Sequence, residues 1–165
     1  MMNYFRDGFS LIEVLIYIAV FMLVSTAAIG FLVSLDDLID EYRVETALYR
    51  SSTKTLEQVQ LSLRQADTLD LLNAATSTSD GVLAVTGSSS DTQIAKVGDE
   101  LQLSIDGVLV GDLLQDEVVA TDFTVFHYPM SIGEVVRVRM GLTATVGSTT
   151  KSIQLYTGSV LRDSI

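Results

Sequence analysis

The sequence predicts an α+β protein: one long amino-terminal helix, apolar in its first half and amphipathic in its second, packed on a carboxy-terminal antiparallel β-sheet. Three observations carry this reading. Val14 to Leu35 contains no charged residue, and at ~1.5 Å rise per residue such a run covers the ~30 Å hydrocarbon layer of a bilayer. No proline or glycine interrupts Phe31 to Ala66, where apolar residues recur at three-four spacing. From Val82 onward, short runs rich in β-branched residues alternate with Gly, Asp and Ser.

These patterns divide the chain into a polar leader (1–8), a membrane-spanning helix (9–35) and a soluble head (36–165) that includes the second half of the long helix. The leader holds Arg6 and Asp7, and the acids beyond the apolar run are Asp36, Asp37, Asp40 and Glu41. That bias orients the amino terminus inward. A cleaved secretory signal would have a shorter apolar run with its cut site after it, so the helix is expected to stay in the mature protein.

Glu13 stands at the leading edge of the apolar run. A charge at the bilayer centre costs roughly 2.5–3.5 kcal/mol on insertion scales, and less near the interface, so this carboxylate calls for a cationic partner. Further along, Ser25, Thr26, Ala27, Ala28 and Gly30 form a small-residue patch that lets another helix approach closely.

Beyond the membrane, Leu35, Leu38, Tyr42, Tyr49, Leu56, Val59, Leu63 and Ala66 outline an apolar face, interrupted by Glu45 and Ser52. One helix from about Ser10 to about Ala66 follows, its second half lying in a groove of the head. The acids from Asp36 to Glu41 sit on that helix and lack the tight turn of a calcium loop, so they read as a solvated face. Polar stretches between Thr68 and Ser90, including Gly87 to Ser90, flank a short strand, Val82 to Val85.

Strands account for the remainder. Leu101–Ile105 and Val108–Val110 form a hairpin about Asp106-Gly107, and a longer hairpin runs from Val135 to Val146, turns at Gly147-Ser148 and returns through Ser152 to Thr157. Between them Val118 to Tyr128 is a strand with Phe123, Val125 and His127 on one face and Thr124, Phe126 and Tyr128 on the other.

The chemistry that composition excludes is broad. With no cysteine there is no disulfide, thiolate metal site or cysteine nucleophile. A net charge of -11, from 21 acids against 10 bases, opposes nucleic-acid contact. The single histidine, His127, sits in a strand without a triad or metal-ligand pattern around it, and phosphate-loop glycine motifs are lacking. No catalytic, cofactor-binding or metal-ligating residue is assigned, and the chain is not expected to be an enzyme. Arg137 and Arg139 share one strand face and suit either a partner's carboxylate or the head's own acids.

Gly8-Phe9-Ser10-Leu11-Ile12-Glu13-Val14, behind a short leader and ahead of an unbroken apolar run, resembles the class III signal of type IV pilins and type II secretion pseudopilins. The resemblance implies cleavage between Gly8 and Phe9 by prepilin peptidase, N-methylation of Phe9 by the same enzyme, and subunit assembly through Phe9 and Glu13. In that arrangement Glu13 faces the terminal amine of a neighbouring subunit. Implied partners are other pilin or pseudopilin subunits, the peptidase, membrane lipid, and the inner-membrane assembly platform with its ATPase. The implied location is a single pass through the cytoplasmic membrane, then a surface pilus or periplasmic pseudopilus.

Asp7 departs from the Lys or Arg usual in that family, and the lack of cysteine departs from the carboxy-terminal disulfide of many pilins. The order of elements, closing on Gly158-Ser159-Val160-Leu161-Arg162, resembles J- or W-type minor subunits. Two alternatives stay open at this level: a membrane-tethered binding or enzymatic domain on a pilin-like anchor, and a competence pseudopilin.

Overall fold

The protein's structure is a computed structural model that describes residues 11–88, 90–130 and 133–161. Gly8, Phe9, Ser10, Ser89 and Arg162, which figure in the expectations above, lie outside the described residues. The chain divides into two compact units, Met1–Ile39 and Asp40–Ile165. Helix α1 runs over Leu11–Gln65. Among the described residues eight strands follow: β1 (Ala66–Leu69), β2 (Val82–Gly87), β3 (Asp91–Val97), β4 (Glu100–Ile105), β5 (Val108–Asp112), β6 (Val118–Met130), β7 (Gly133–Val146) and β8 (Thr149–Leu161).

In the first unit every described side chain is exposed except half-buried Ser25. An 18-residue window of α1 reaches a mean hydropathy of 2.4 with none of it buried. A helix that is apolar all round and uncovered by its own chain is suited to lipid or to other helices. Its hydroxyls are satisfied locally: Thr26 Oγ1 donates to the Met22 carbonyl at 2.8 Å and Ser34 Oγ to that of Gly30 at 3.0 Å. Neither hydroxyl therefore enters an apolar medium unpaired.

The second unit holds two antiparallel sheets, β1-β2-β3-β4-β5 and β6-β7-β8, where a single sheet was expected. The unforeseen strands are β1 and β3. Asp91-Thr92-Gln93-Ile94-Ala95-Lys96-Val97 has only one fully buried side chain, Ile94. Its polar composition conceals a strand held by neighbours on both sides, β2 and β4. Ala66, expected to end the helix, begins β1 opposite Gly87.

Both anticipated hairpins form. Asp106 and Gly107 take φ of 52° and 77°, the positive pair that a type I′ turn demands and that matches the right-handed twist of β4 and β5. At the β7–β8 turn Gly147 has φ 57° between partners Val146 and Thr149, as a Gly-first two-residue turn requires.

The buried face of α1 differs from the expected one. Val44, Ala47, Leu48, Ser51, Ser52, Thr55, Val59, Ser62 and Leu63 are buried, whereas Leu38, Tyr42 and Tyr49 are exposed. Ser52, read as an interruption, belongs to the buried face. Serine and threonine can be buried here because most find partners: Ser62 Oγ donates to the Gln58 carbonyl and Ser52 Oγ to that of Tyr49, both at 2.9 Å. Ser51 Oγ accepts the Gln115 amide at 3.2 Å. Their small size lets backbone come close, which a row of tyrosines would prevent.

Against that face pack Leu83, Ile94 and Leu101 of the first sheet and Phe123, Val125, Val138, Met140 and Leu142 of the second, all in one core. Burying each such side chain contributes about 1.5–3 kcal/mol. The segment 70–81 ties the sheets together. Ser77 N donates to Val125 O at 2.8 Å, Phe123 N to Ser79 O at 2.9 Å and Gly81 N to Phe123 O at 2.7 Å, which covers the outer edge of β6 and leaves β8 as the last strand of its sheet.

Candidate functional site

The site begins with a helix terminus. Glu13 lies in the first turn of α1, where the positive end of the helix dipole favours a carboxylate. One turn on, Tyr17 donates its hydroxyl to Glu13 Oε1 at 3.1 Å, both side chains being exposed. The i,i+4 spacing puts both on one face, beside Val14, Ile18 and Phe21. One carboxylate oxygen is thus held and the group as a whole faces outward from an apolar surface. Chemically this arrangement can receive a cation from outside.

Tyr17 was not singled out from sequence. Its signal was available in principle: a hydroxyl four residues on from the acid at the run's leading edge. Of the other predicted site residues, Gly8 and Phe9 fall outside the described residues, so Glu13 alone is located.

The head's polar groups join mostly with one another. Lys151 Nζ reaches Glu41 Oε1 at 2.7 Å and Glu45 Oε1 at 2.6 Å, linking β8 to α1. Its hydrogen bond and charge hold the Glu41 carboxyl below its ordinary value, and the bonds to Glu41 and Glu45 push the Lys151 ammonium up. Asp70 is also lowered, by the Asn73 side-chain amide at 2.6 Å and the Leu72 backbone N–H at 3.0 Å, in a tight turn after β1.

Arg139 Nε donates to Asp122 Oδ2 at 2.7 Å, and Thr124 Oγ1 donates to Asp122 Oδ1 at the same distance. Of the two arginines that sequence placed on one face, this one offsets an acid of its own head. His127 lies on the inner row with Phe123 and Val125, as the alternation predicts, its Nε2 3.5 Å from Glu134 Oε2. Among the described residues no group of three or more His, Asp or Glu is placed to hold a metal ion.

With this geometry in hand, comparison with known proteins bears on the amino-terminal site. Residues 5–29 match the family model of the prokaryotic N-terminal methylation motif, a span that takes in Gly8, Phe9, Glu13 and Tyr17. No curated protein and no solved structure matches the chain.

Proposed function

We propose, from the premise that this chain carries the N-terminal methylation motif of type IV pilins and pseudopilins, that it works as a pilin-like subunit cut after Gly8 and assembled through its apolar helix. The observation that carries the reading is the match over residues 5–29, which sets Glu13 five positions beyond Gly8. Prepilin peptidase hydrolyses the Gly8–Phe9 bond and frees the Phe9 amine, which is then methylated. A methylated secondary amine is still protonated near neutral pH and remains a cation.

Each subunit then carries a cation and, four residues on, an acid. An amine that met its own Glu13 would leave neighbours unlinked; one that meets the Glu13 of an adjacent subunit fixes the axial offset between them. Attraction at low dielectric is largely offset by desolvation, so the pair sets register more than it adds net stability. The uncovered apolar side chains from Leu11 to Val33 supply the contact area when helix replaces lipid.

The chain enters the cytoplasmic membrane with its amino terminus inside, the leader being residues 1–8 and the spanning helix 9–35. Extraction is driven by an assembly ATPase acting through an inner-membrane platform. A minor-subunit role, of the J or W type, is supported by the order of elements and by a head held together without disulfides.

Mass spectrometry of the protein isolated from membranes tests the reading. A chain beginning at methylated Phe9 is expected. Intact Met1 in cells with an active prepilin peptidase would overturn it in favour of a tethered domain on a pilin-like anchor. The ratio of this chain to other subunits in purified filaments tests the minor role.

A further inference from the structure

The hairpin β4–β5 ends the five-stranded sheet, and β5 is paired on one side only, to β4. Its register shows which backbone groups are left over. The two-residue turn Asp106-Gly107 makes Ile105 and Val108 a bonded pair, so in the next pair, Ser104 and Leu109, the Leu109 N–H and C=O point away from β4. Among the described residues no backbone group of another segment meets them. Beyond Leu109 a bulge at Val110, between the pairs Ser104–Leu109 and Leu103–Gly111, ends the regular edge.

Three consecutive apolar side chains stand on this short edge. Val108, Leu109 and Val110 are 67%, 57% and 61% exposed, so both faces of the strand are uncovered there, whereas β4 buries Leu101 and Leu103 and β3 buries Ile94. The strand has neither proline nor lysine to discourage an arriving chain, and its one charge is Asp112 at the far end. The bulge limits backbone pairing to Leu109, so the apolar side chains carry the rest of the contact.

Charge selects the occupant. Residues 66–117, which make up this sheet and its connections, hold ten acids and one base, Lys96, whose ammonium is taken by Asp80. At the turn end of β5, Asp106 Oδ1 accepts the Asp91 amide at 2.9 Å, a bond that brings no counter-charge. Neither acid makes an ion pair among the described residues. At the other end Lys54 of α1 donates to the Asp112 carbonyl at 2.9 Å, so a base already stands there. The unmet negative charge lies at the turn end.

We propose that β5 receives an extended segment of a different polypeptide, antiparallel to it, with an apolar residue opposite Leu109 and Lys or Arg at its carboxy-terminal end beside Asp91 and Asp106. An antiparallel partner closes both Leu109 bonds on one residue, and backbone pairing requires a polypeptide. A second copy is disfavoured by charge: paired antiparallel about Leu109, it would set Asp106 of each chain against Asp112 of the other. Nucleic acid and anionic lipid meet the same repulsion from residues 66–117.

The test uses the whole chain in detergent micelles and a fluorescent, end-capped peptide, Thr-Val-Thr-Val-Thr-Lys-Lys, whose second Val falls opposite Leu109. Titration by anisotropy is expected to give binding that weakens at least about tenfold (about 1.4 kcal/mol) in Leu109→Lys. Asp106→Asn keeps the positive φ and a side-chain oxygen for the Asp91 amide while removing one charge, and should weaken binding at least about threefold. Hydrogen exchange at the Leu109 amide should slow when peptide is added. Leu109→Thr serves if Leu109→Lys proves unstable. Absence of binding at millimolar peptide, equal binding of a peptide with Glu in place of Lys, or unchanged exchange at Leu109 would each overturn the proposal. A concentration-dependent dimer that Leu109→Lys abolishes would overturn it in favour of a second copy. Cutting after Gly8 bears on none of these readouts, so this proposal and the reading of the amino terminus stand or fall separately.

Discussion

Tyr17 holds Glu13: its phenol donates to Oε1 at 3.1 Å across one helical turn. In lipid, a carboxylate with one oxygen so occupied is better tolerated than a bare one, and its second oxygen keeps a defined direction. Glu13→Ala should therefore leave membrane insertion intact, since the apolar run is unchanged, and sharply reduce incorporation into filaments. Tyr17→Phe should reduce incorporation less, and in a Glu13→Ala background it should add nothing. Quantitative immunoblotting of sheared filaments against membranes measures both. Normal incorporation of Glu13→Ala would contradict the role given to the acid, and an additive loss in the double variant would mean that Tyr17 acts by another route.

A second prediction concerns Lys151, which joins β8 to α1 through Glu41 and Glu45. Glu41 is depressed below its ordinary value of 4.5, so its share of stability is present above that pH and is lost as pH falls through the depressed value. Lys151 is raised above 10.5, so its share is present below that pH and disappears as pH rises through the raised value. Between these limits the contribution is flat. Lys151→Met should lower the melting temperature modestly at pH 7, less in 1 M salt because these groups face solvent. The difference from wild type should vanish on the acid side of Glu41's folded value. Thermal melts at several pH values and two salt concentrations check this.

What the sequence disclosed, and what it hid, divides along physical lines. The spanning run, the acid beside it and the hairpin at Asp106-Gly107 are local: each follows from hydropathy, charge or φ preference within a few residues. The face of α1 is not local. Tyr42 and Tyr49 satisfy an apolar period yet stay exposed, and Ser51, Thr55 and Ser62 are buried because they fit close against the sheets. That choice belongs to tertiary packing, invisible to a count of apolar residues. The same holds for β3, whose polar pattern gives way to pairing on both sides, and for the split into two sheets. At the site, Glu13 was legible by its anomaly in an apolar context, whereas Tyr17 passed as one more large residue.

Gly81 supplies a third prediction. Its amide donates to the Phe123 carbonyl at 2.7 Å, and a Cβ built on it would run into that same oxygen, with the Ala75 carbonyl at 3.2 Å on another side. These are backbone atoms, which cannot swing aside. Gly81→Ala should destabilise the head by about 1–3 kcal/mol, as overpacked sites do, and Gly81→Val by more. Chemical denaturation checks this. A neutral Gly81→Ala would mean that the segment 70–81 is not held against β6 as described.

Thr55 gives the most discriminating test of the buried helix face. Its side chain is fully buried, and among the described residues Oγ1 has no hydrogen-bond partner, whereas neighbouring Ser51 accepts the Gln115 amide at 3.2 Å. An unpaired buried hydroxyl costs about 1–3 kcal/mol relative to an apolar group of the same shape. Thr55→Val keeps the branched shape and removes only the polarity. It should raise stability by about 1 kcal/mol and the melting temperature by a few degrees. Ser51→Ala, one turn away on the same face, should lower stability by about 1 kcal/mol, because it strands the Gln115 amide. Opposite signs from two hydroxyl deletions on one face are expected only if that face packs as described here. A destabilising Thr55→Val would show that the hydroxyl is satisfied, and the packing of α1 on the sheets would need revision.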